Sequence, residues 1–210
     1  FQTTHHDIWD FDLPCAPVLV DITVEGRDIK AVVQPSKQGW LYVFNRETGE
    51  PVWPIEEQPV PAGDVPGEWY SPTQPYPTKP PPIDLQGFGP DDLIDFTPEL
   101  RAEAEKLLSR FKYGSVYEPP SIATAEGTLG TVQMPGSTGG VNWPGGSVDP
   151  ETGIFYQYSK TQLQTLGMIN DPERSNMDFI RGLPPGISRR DAALRIEGIP
   201  IVKPPWGRIT

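Results

Sequence analysis

Four short runs of strand-forming residues, separated by tight turn signals and all lying within residues 17–53, constrain this chain more than any other feature. Residues 17–24 (PVLVDITV) and 29–34 (IKAVVQ) are rich in β-branched side chains, and the turn formers Glu25-Gly26-Arg27-Asp28 join them. Residues 40–44 (WLYVF) give a third strand, Asn45 to Glu50 a turn, and Pro51-Val52-Trp53 the start of a fourth. Four strands with tight turns, in about 37 residues, make the size of one β-propeller blade.

The same form, a strand followed by Asp/Asn-x-x-Thr-Gly and another strand, returns at Gly146-Ser147-Val148-Asp149-Pro150-Glu151-Thr152-Gly153-Ile154-Phe155-Tyr156. A further strand begins at residues 206–210. Between the two signals lies a long insertion. Residues 54–90 are Pro-rich and are expected to form a fixed, irregular loop. Thr97-Pro98-Glu99 then reads as a helix start, with Thr as N-cap, Pro in the first turn and Glu near the positive end. That helix is expected to run to about Phe111, with Leu100, Ala104, Leu107, Leu108 and Phe111 on one face. A second short helix is expected near Arg189–Ile196, and residues 160–187 carry no clear period. The chain thus divides into a blade (1–53), a Pro-rich and helical insertion (54–120), a second blade region (121–160), a second insertion (161–205) and the start of a further strand (206–210).

Composition supports a loop-rich, mainly β, folded protein. The 27 Pro and 21 Gly interrupt helices and central strands, while six Trp, seven Tyr and eight Phe argue against disorder. A net charge of −11 argues against a nucleic-acid partner, which calls for a basic stripe. No apolar run is long enough to span a membrane. The lone Cys15 excludes an internal disulfide and a Cys-x-x-Cys-His haem attachment within these residues. The opening Phe-Gln-Thr-Thr-His, without Met, is the start expected of a sequence cut from something longer.

Three places hold residues that could carry chemistry. In His5-His6-Asp7-Ile8-Trp9-Asp10-Phe11-Asp12, two His and three Asp alternate with large apolar side chains. A solvated turn entering the first strand, a functional acid and a zinc site are all compatible with that composition, though the spacing lacks the i, i+4 pattern or paired Cys of a specific zinc motif. Lys37 sits in a turn between two strands, where a lysine is ordinarily solvated. Asn142-Trp143 follows the Gly-rich run 134–141, which matches no phosphate-binding pattern but suits close backbone approach to a planar ligand or to another blade.

Taken together, these residues resemble the membrane glucose dehydrogenase branch of the pyrroloquinoline-quinone (PQQ) dependent quinoproteins. The likeness runs through His5-His6-Asp7-x-Trp9-Asp10-x-Asp12-Leu13-Pro14, Pro17, Asp21-Ile22-Thr23-Val24, Lys37-x-Gly39, Val43 and Arg46-x-x-Gly49-Glu50. It continues at Pro59-Val60-Pro61, Pro72-Thr73-Gln74-Pro75, Pro119-Pro120-Ser121, Gly127-Thr128-Leu129, Pro135-Gly136, residues 146–150 and Trp206-Gly207. The first 75 residues are its specific part; 76–118 and 157–200 are weak.

The resemblance implies a central fragment of an eight-bladed quinoprotein propeller, holding two to three blades with long Pro-rich insertions and one or two short helices. It implies a periplasmic dehydrogenase that oxidises an alcohol or aldose and uses PQQ with Ca²⁺, most of whose ligands lie outside these residues. By position, Asp10 matches the family's general base, and Lys37, 27 residues on, matches the basic residue at the quinone oxygens. Asn142 matches an Asn that contacts the cofactor. The remaining blades and a cytochrome or quinone electron acceptor are the implied partners, and the fragment alone is expected to be inactive. The other function compatible with blade signals is a non-catalytic propeller segment that binds proteins, because fold does not give function.

Overall fold

The computed structural model describes all 210 residues. Its first sheet grows from the two-residue turn Glu25-Gly26. Both residues have positive φ, 51° and 75°, the type I′ geometry that matches the twist of two antiparallel strands. This turn joins β1 (Val18–Val24) to β2 (Arg27–Pro35), with Val24 opposite Arg27 and Val18 opposite Val33. Strand β3 (Leu41–Asn45) pairs with β2 from Ala31↔Asn45 to Pro35↔Leu41, completing an antiparallel sheet in the order β1-β2-β3. The fourth strand expected at residues 51–53 is reduced to a single bridge, Phe44↔Pro51. Proline has no N–H for a ladder there, and the chain turns away.

Residues 54–90, expected as an irregular loop, contain a two-stranded antiparallel ribbon of β4 (Ile55–Pro59) and β5 (Thr73–Pro77). Helix α1 (Pro98–Leu108) starts as the sequence signals, with Thr97 Oγ1 accepting the Leu100 N–H at 3.3 Å. It stops at Leu108, before Phe111, which still packs into the same core. Short strands β6 (Ser121–Ile122) and β7 (Thr131–Gln133) follow.

The second sheet is built from β8 (Gly146–Val148), β9 (Phe155–Lys160) and, after a long excursion, β14 (Gly207–Ile209), in the order β14-β9-β8. The excursion holds β10 (Gln164–Ile169), which pairs with β6, β7 and β11 (Ile180–Arg181), and a hairpin of β12 (Arg195–Ile196) and β13 (Ile199–Pro200). The helix expected near Arg189–Ile196 is not formed. Ser188 and Asp191 close one turn, and Glu197-Gly198, with φ of 50° and 88°, then reverses the chain into the hairpin. No sheet closes on itself. No helix is long and apolar enough to cross a membrane.

Side-chain alternation places the first sheet between two cores. Ala31, Val33 and Val43, with Val20, Ile22 and Ile29, pack toward Val141 and Phe155 at the second sheet. Each fully buried Val or Ile at such a seam contributes about 1.5–3 kcal/mol relative to an exposed one. From the opposite face, Trp40, Tyr42 and Phe44 join Trp9, Phe11, Tyr76 and Tyr117 in an aromatic cluster. The third core surrounds α1.

Candidate functional site

Trp9 and Phe11 are 4% and 1% exposed, and their burial on either side turns the intervening Asp10 outward. Asp7 closes the bend: its carboxylate accepts the Trp9 N–H at 2.9 Å and the Phe11 N–H at 2.6 Å. Asp10 itself takes φ of 68°, a left-handed value that Asp tolerates better than most residues. The bend is clamped from outside by Gln133, whose Nε2 donates to the Trp9 carbonyl at 2.8 Å, and by Trp9 Nε1 donating to the Glu118 carbonyl at 2.8 Å. Burial pushes the Asp7 carboxyl above its usual range, against the two N–H bonds that favour its charge, and Asp10 and Asp12 add to the rise.

The turn Ser36-Lys37-Gln38-Gly39 is not solvated. Ser36 and Gln38 are fully buried and Lys37 is 6% exposed. Gly39 has φ of 84°, its N–H donates to Ser36 O at 3.0 Å, and its carbonyl accepts the Ile83 N–H at 2.9 Å. Lys37 Nζ donates to the Asp10 carbonyl at 2.9 Å and to the Asp12 carboxylate, and it lies 3.4 Å from Asp10 Oδ1. A buried ammonium is thus held by two acids whose side chains are 66% and 59% exposed.

The Gly-rich run leans on the same lysine. Gly140 N donates to the Lys37 carbonyl at 2.9 Å, and Gly140 O accepts the Lys160 N–H of β9 at 2.8 Å. Gly139 has φ of 75°, and a Cβ there would meet the Val141 carbonyl and stand 2.6 Å from Lys37 Cγ. Beneath the turn lies Asp84, whose side chain is wholly buried and accepts from Thr161 Oγ1 at 2.7 Å.

Asn142 closes this loop rather than reaching toward Lys37. Its Nδ2 donates to Thr138 O at 2.7 Å, its Oδ1 accepts the Trp143 N–H at 2.7 Å, and its carbonyl accepts the Cys15 thiol at 3.0 Å. Each side-chain atom keeps one further hydrogen or lone pair. Burial pushes that thiol up to about 11. Asp10 and Lys37 are therefore brought together, and Asn142 joins them only through the Gly-rich backbone.

The two histidines diverge. His5 Nε2 meets Glu57 at 2.9 Å and His6 Nε2 meets Glu68 at 2.9 Å, so His5, His6 and Asp7 do not converge on a zinc ion. The residue that sequence reasoning missed is Asp12. Its signal was its place two positions from Asp10, across a buried Phe11, which turns both acids to one side.

Two small antiparallel sheets packed face to face, with this site in the loops beside their strands, define part of a β-propeller. The whole chain, residues 1–210, matches the model described as "PQQ: Glucose/ethanol/alcohol dehydrogenase, beta-propeller domain", and it belongs to that family. It is 34% identical over 227 residues to the quinate/shikimate dehydrogenase (quinone) of Acinetobacter baylyi, covering 100% of this chain and 27% of that protein. It is 32% identical over 231 residues to the quinoprotein glucose dehydrogenase of Escherichia coli, again covering 100% of this chain and 27% of the relative. The chain therefore spans little more than a quarter of each. The crystal structure of quinohemoprotein alcohol dehydrogenase from Comamonas testosteroni aligns with 80% of this chain and 18% of its own, at 19% identity and a TM-score of 0.43.

Proposed function

We propose that this chain forms part of a periplasmic PQQ-dependent dehydrogenase that oxidises an alcohol or aldose, with Asp10 as general base and Lys37 as a ligand of the quinone oxygens. The observation that carries the reading is the ion pair itself: a buried ammonium whose acid partner, Asp10, stays open to solvent. Membership of a PQQ-dehydrogenase family supports the cofactor. The glucose and quinate dehydrogenases among its relatives support a hydroxylated ring as substrate.

The residues present fit the cofactor. When bound, PQQ supplies an ortho-quinone that accepts the hydride of the oxidised carbon. An ammonium shielded from water at Lys37 suits developing negative charge at a quinone oxygen, where a charged donor is worth more than in bulk solvent. Gly139 and Gly140 let the backbone pass directly against Lys37 and Asp84, where an added Cβ would stand 2.6 Å from Lys37 Cγ and 3.4 Å from Asp84 Cβ, so this backbone holds the lysine in place. Asp10 Oδ1 can accept the substrate hydroxyl proton while Lys37 and the Asp10 carbonyl bond hold the acid in place. Asn142 has one amide hydrogen free for a contact from the rim.

The Ca²⁺ proposed with PQQ takes oxygen ligands and draws most of them from other blades, as the resemblance to the family implies. Those blades and a cytochrome or quinone acceptor complete the proposed enzyme, and the 210 residues alone are inactive. The test is dye-linked oxidation of an aldose and alcohol panel by the dehydrogenase that contains this chain, loaded with PQQ and Ca²⁺. Turnover lost on Asp10→Asn, with the fold retained, supports the reading. Absence of turnover in the loaded wild type, or unchanged turnover in D10N, rejects it and leaves a protein-binding propeller segment.

A further inference from the structure

The chain carries 28 Asp and Glu against 17 Lys and Arg, yet one cavity reverses that balance. It has a volume of about 1000 Å³, and its lining includes Arg174, Arg181, Arg189 and Arg195 with no acidic residue at all. Arg174 is neutralised by Asp171 at 3.4 Å, and Arg195 is spent on the Gly198 carbonyl at 2.7 Å. The Arg181 guanidinium hydrogen-bonds the Thr165 carbonyl at 3.4 Å, and neither it nor that of Arg189 forms an ion pair with a carboxylate. The floor is apolar: Leu183 and Ile187 belong to the packing around the α1 core. Arg181 and Arg189 stand exposed at the edge of this space, and each guanidinium presents a fork that fits a carboxylate in two places.

We infer that this cavity binds a small hydroxylated carboxylate, with Arg181 and Arg189 pairing its carboxylate and the apolar floor receiving its carbon skeleton. A concave space of about 1000 Å³ lies within the range of small-molecule sites. Thr165 and Gln164 supply neutral groups for hydroxyls. The cavity is also tied to the Asp10 bend. Gln164 Oε1 accepts Ser137 N and Oγ, both at 2.7 Å, and Thr165 pairs with Val132 beside Gln133, which holds the Trp9 carbonyl.

The probes are gluconate, glucose as its neutral counterpart and inorganic phosphate, titrated calorimetrically into the protein and into the double variant R181Q/R189Q. Both side chains are exposed, so the substitutions leave the core intact. The expected result is gluconate binding that weakens at least tenfold in the double variant, with glucose unaffected and phosphate binding at least tenfold weaker than gluconate. Gluconate that fails to bind, or binds the variant equally well, overturns the inference; phosphate binding as tightly as gluconate overturns the carboxylate assignment. The inference stands apart from the quinone reading, because PQQ-linked turnover that survives while gluconate binding is absent rejects this site alone.

Discussion

Lys37 Nζ lies 3.4 Å from Asp10 Oδ1 and 2.9 Å from the Asp10 carbonyl oxygen, so one cation fixes both the backbone and the side chain of the acid. The Asp12 carboxylate is the third partner. Removing Asp12, itself 59% exposed, leaves the buried Lys37 ammonium with Asp10 as its remaining acid partner. Asp12→Asn is expected to lower stability by about 0.5–1 kcal/mol, because solvent screens the exposed carboxylate. Urea denaturation of the variant against the parent measures it, and an unchanged midpoint counts against a structural role for Asp12.

Gly139 lies in the left-handed region, with Lys37 occupying the space that a side chain there would take. Gly139→Ala adds a methyl 2.6 Å from Lys37 Cγ and 2.9 Å from Lys37 Cα. Conformational strain and overpacking together are expected to cost about 2–4 kcal/mol. Thermal unfolding should show the loss, and the same change at Gly153, where φ is 70° but nothing lies within 4 Å, should cost less.

Asp64 ties the insertion to the strand region: it pairs with Lys112 and accepts the Ile122 N–H at 3.2 Å. Its partial burial raises its carboxyl pKa, but the Lys112 and backbone bonds outweigh that and hold it below the ordinary value of 3.8. A carboxyl with a depressed folded pKa stabilises the fold above its unfolded value and loses that contribution as pH falls through the lower folded one. Stability measured between neutral pH and pH 3 should therefore fall less steeply in Asp64→Asn than in the parent. Parallel curves would remove Asp64 from the acid response.

Much of the first sheet was legible because its signals are local. Glu25-Gly26 turns the hairpin, and Thr97-Pro98-Glu99 starts the helix where those residue types predict. The ribbon of β4 and β5 was hidden because Pro59, Pro75 and Pro77 lie in its strands, and only a two-stranded, edge-only pairing tolerates them. The hairpin at 195–200 was hidden by the helix-forming Asp191-Ala192-Ala193-Leu194. Yet Ile196-Glu197-Gly198-Ile199 carries the same Glu-Gly turn as Val24-Glu25-Gly26-Arg27, and that repeat was the available signal. At the site, the nearness of Asp10 and Lys37 came from resemblance, because 27 positions of separation dictate no contact. The burial of Lys37 could not be read at all, since it depends on Gly139–Val141 arriving from more than 100 residues away.

Equilibrium binding of PQQ to the protein that carries this chain, followed through the cofactor's absorbance, tests the central proposal most directly. Lys37→Gln should weaken PQQ binding by at least about tenfold, the equivalent of about 1.4 kcal/mol, while Asp10→Asn should retain the cofactor and lose turnover. PQQ held with undiminished affinity by the Lys37 variant would contradict a quinone site at this lysine.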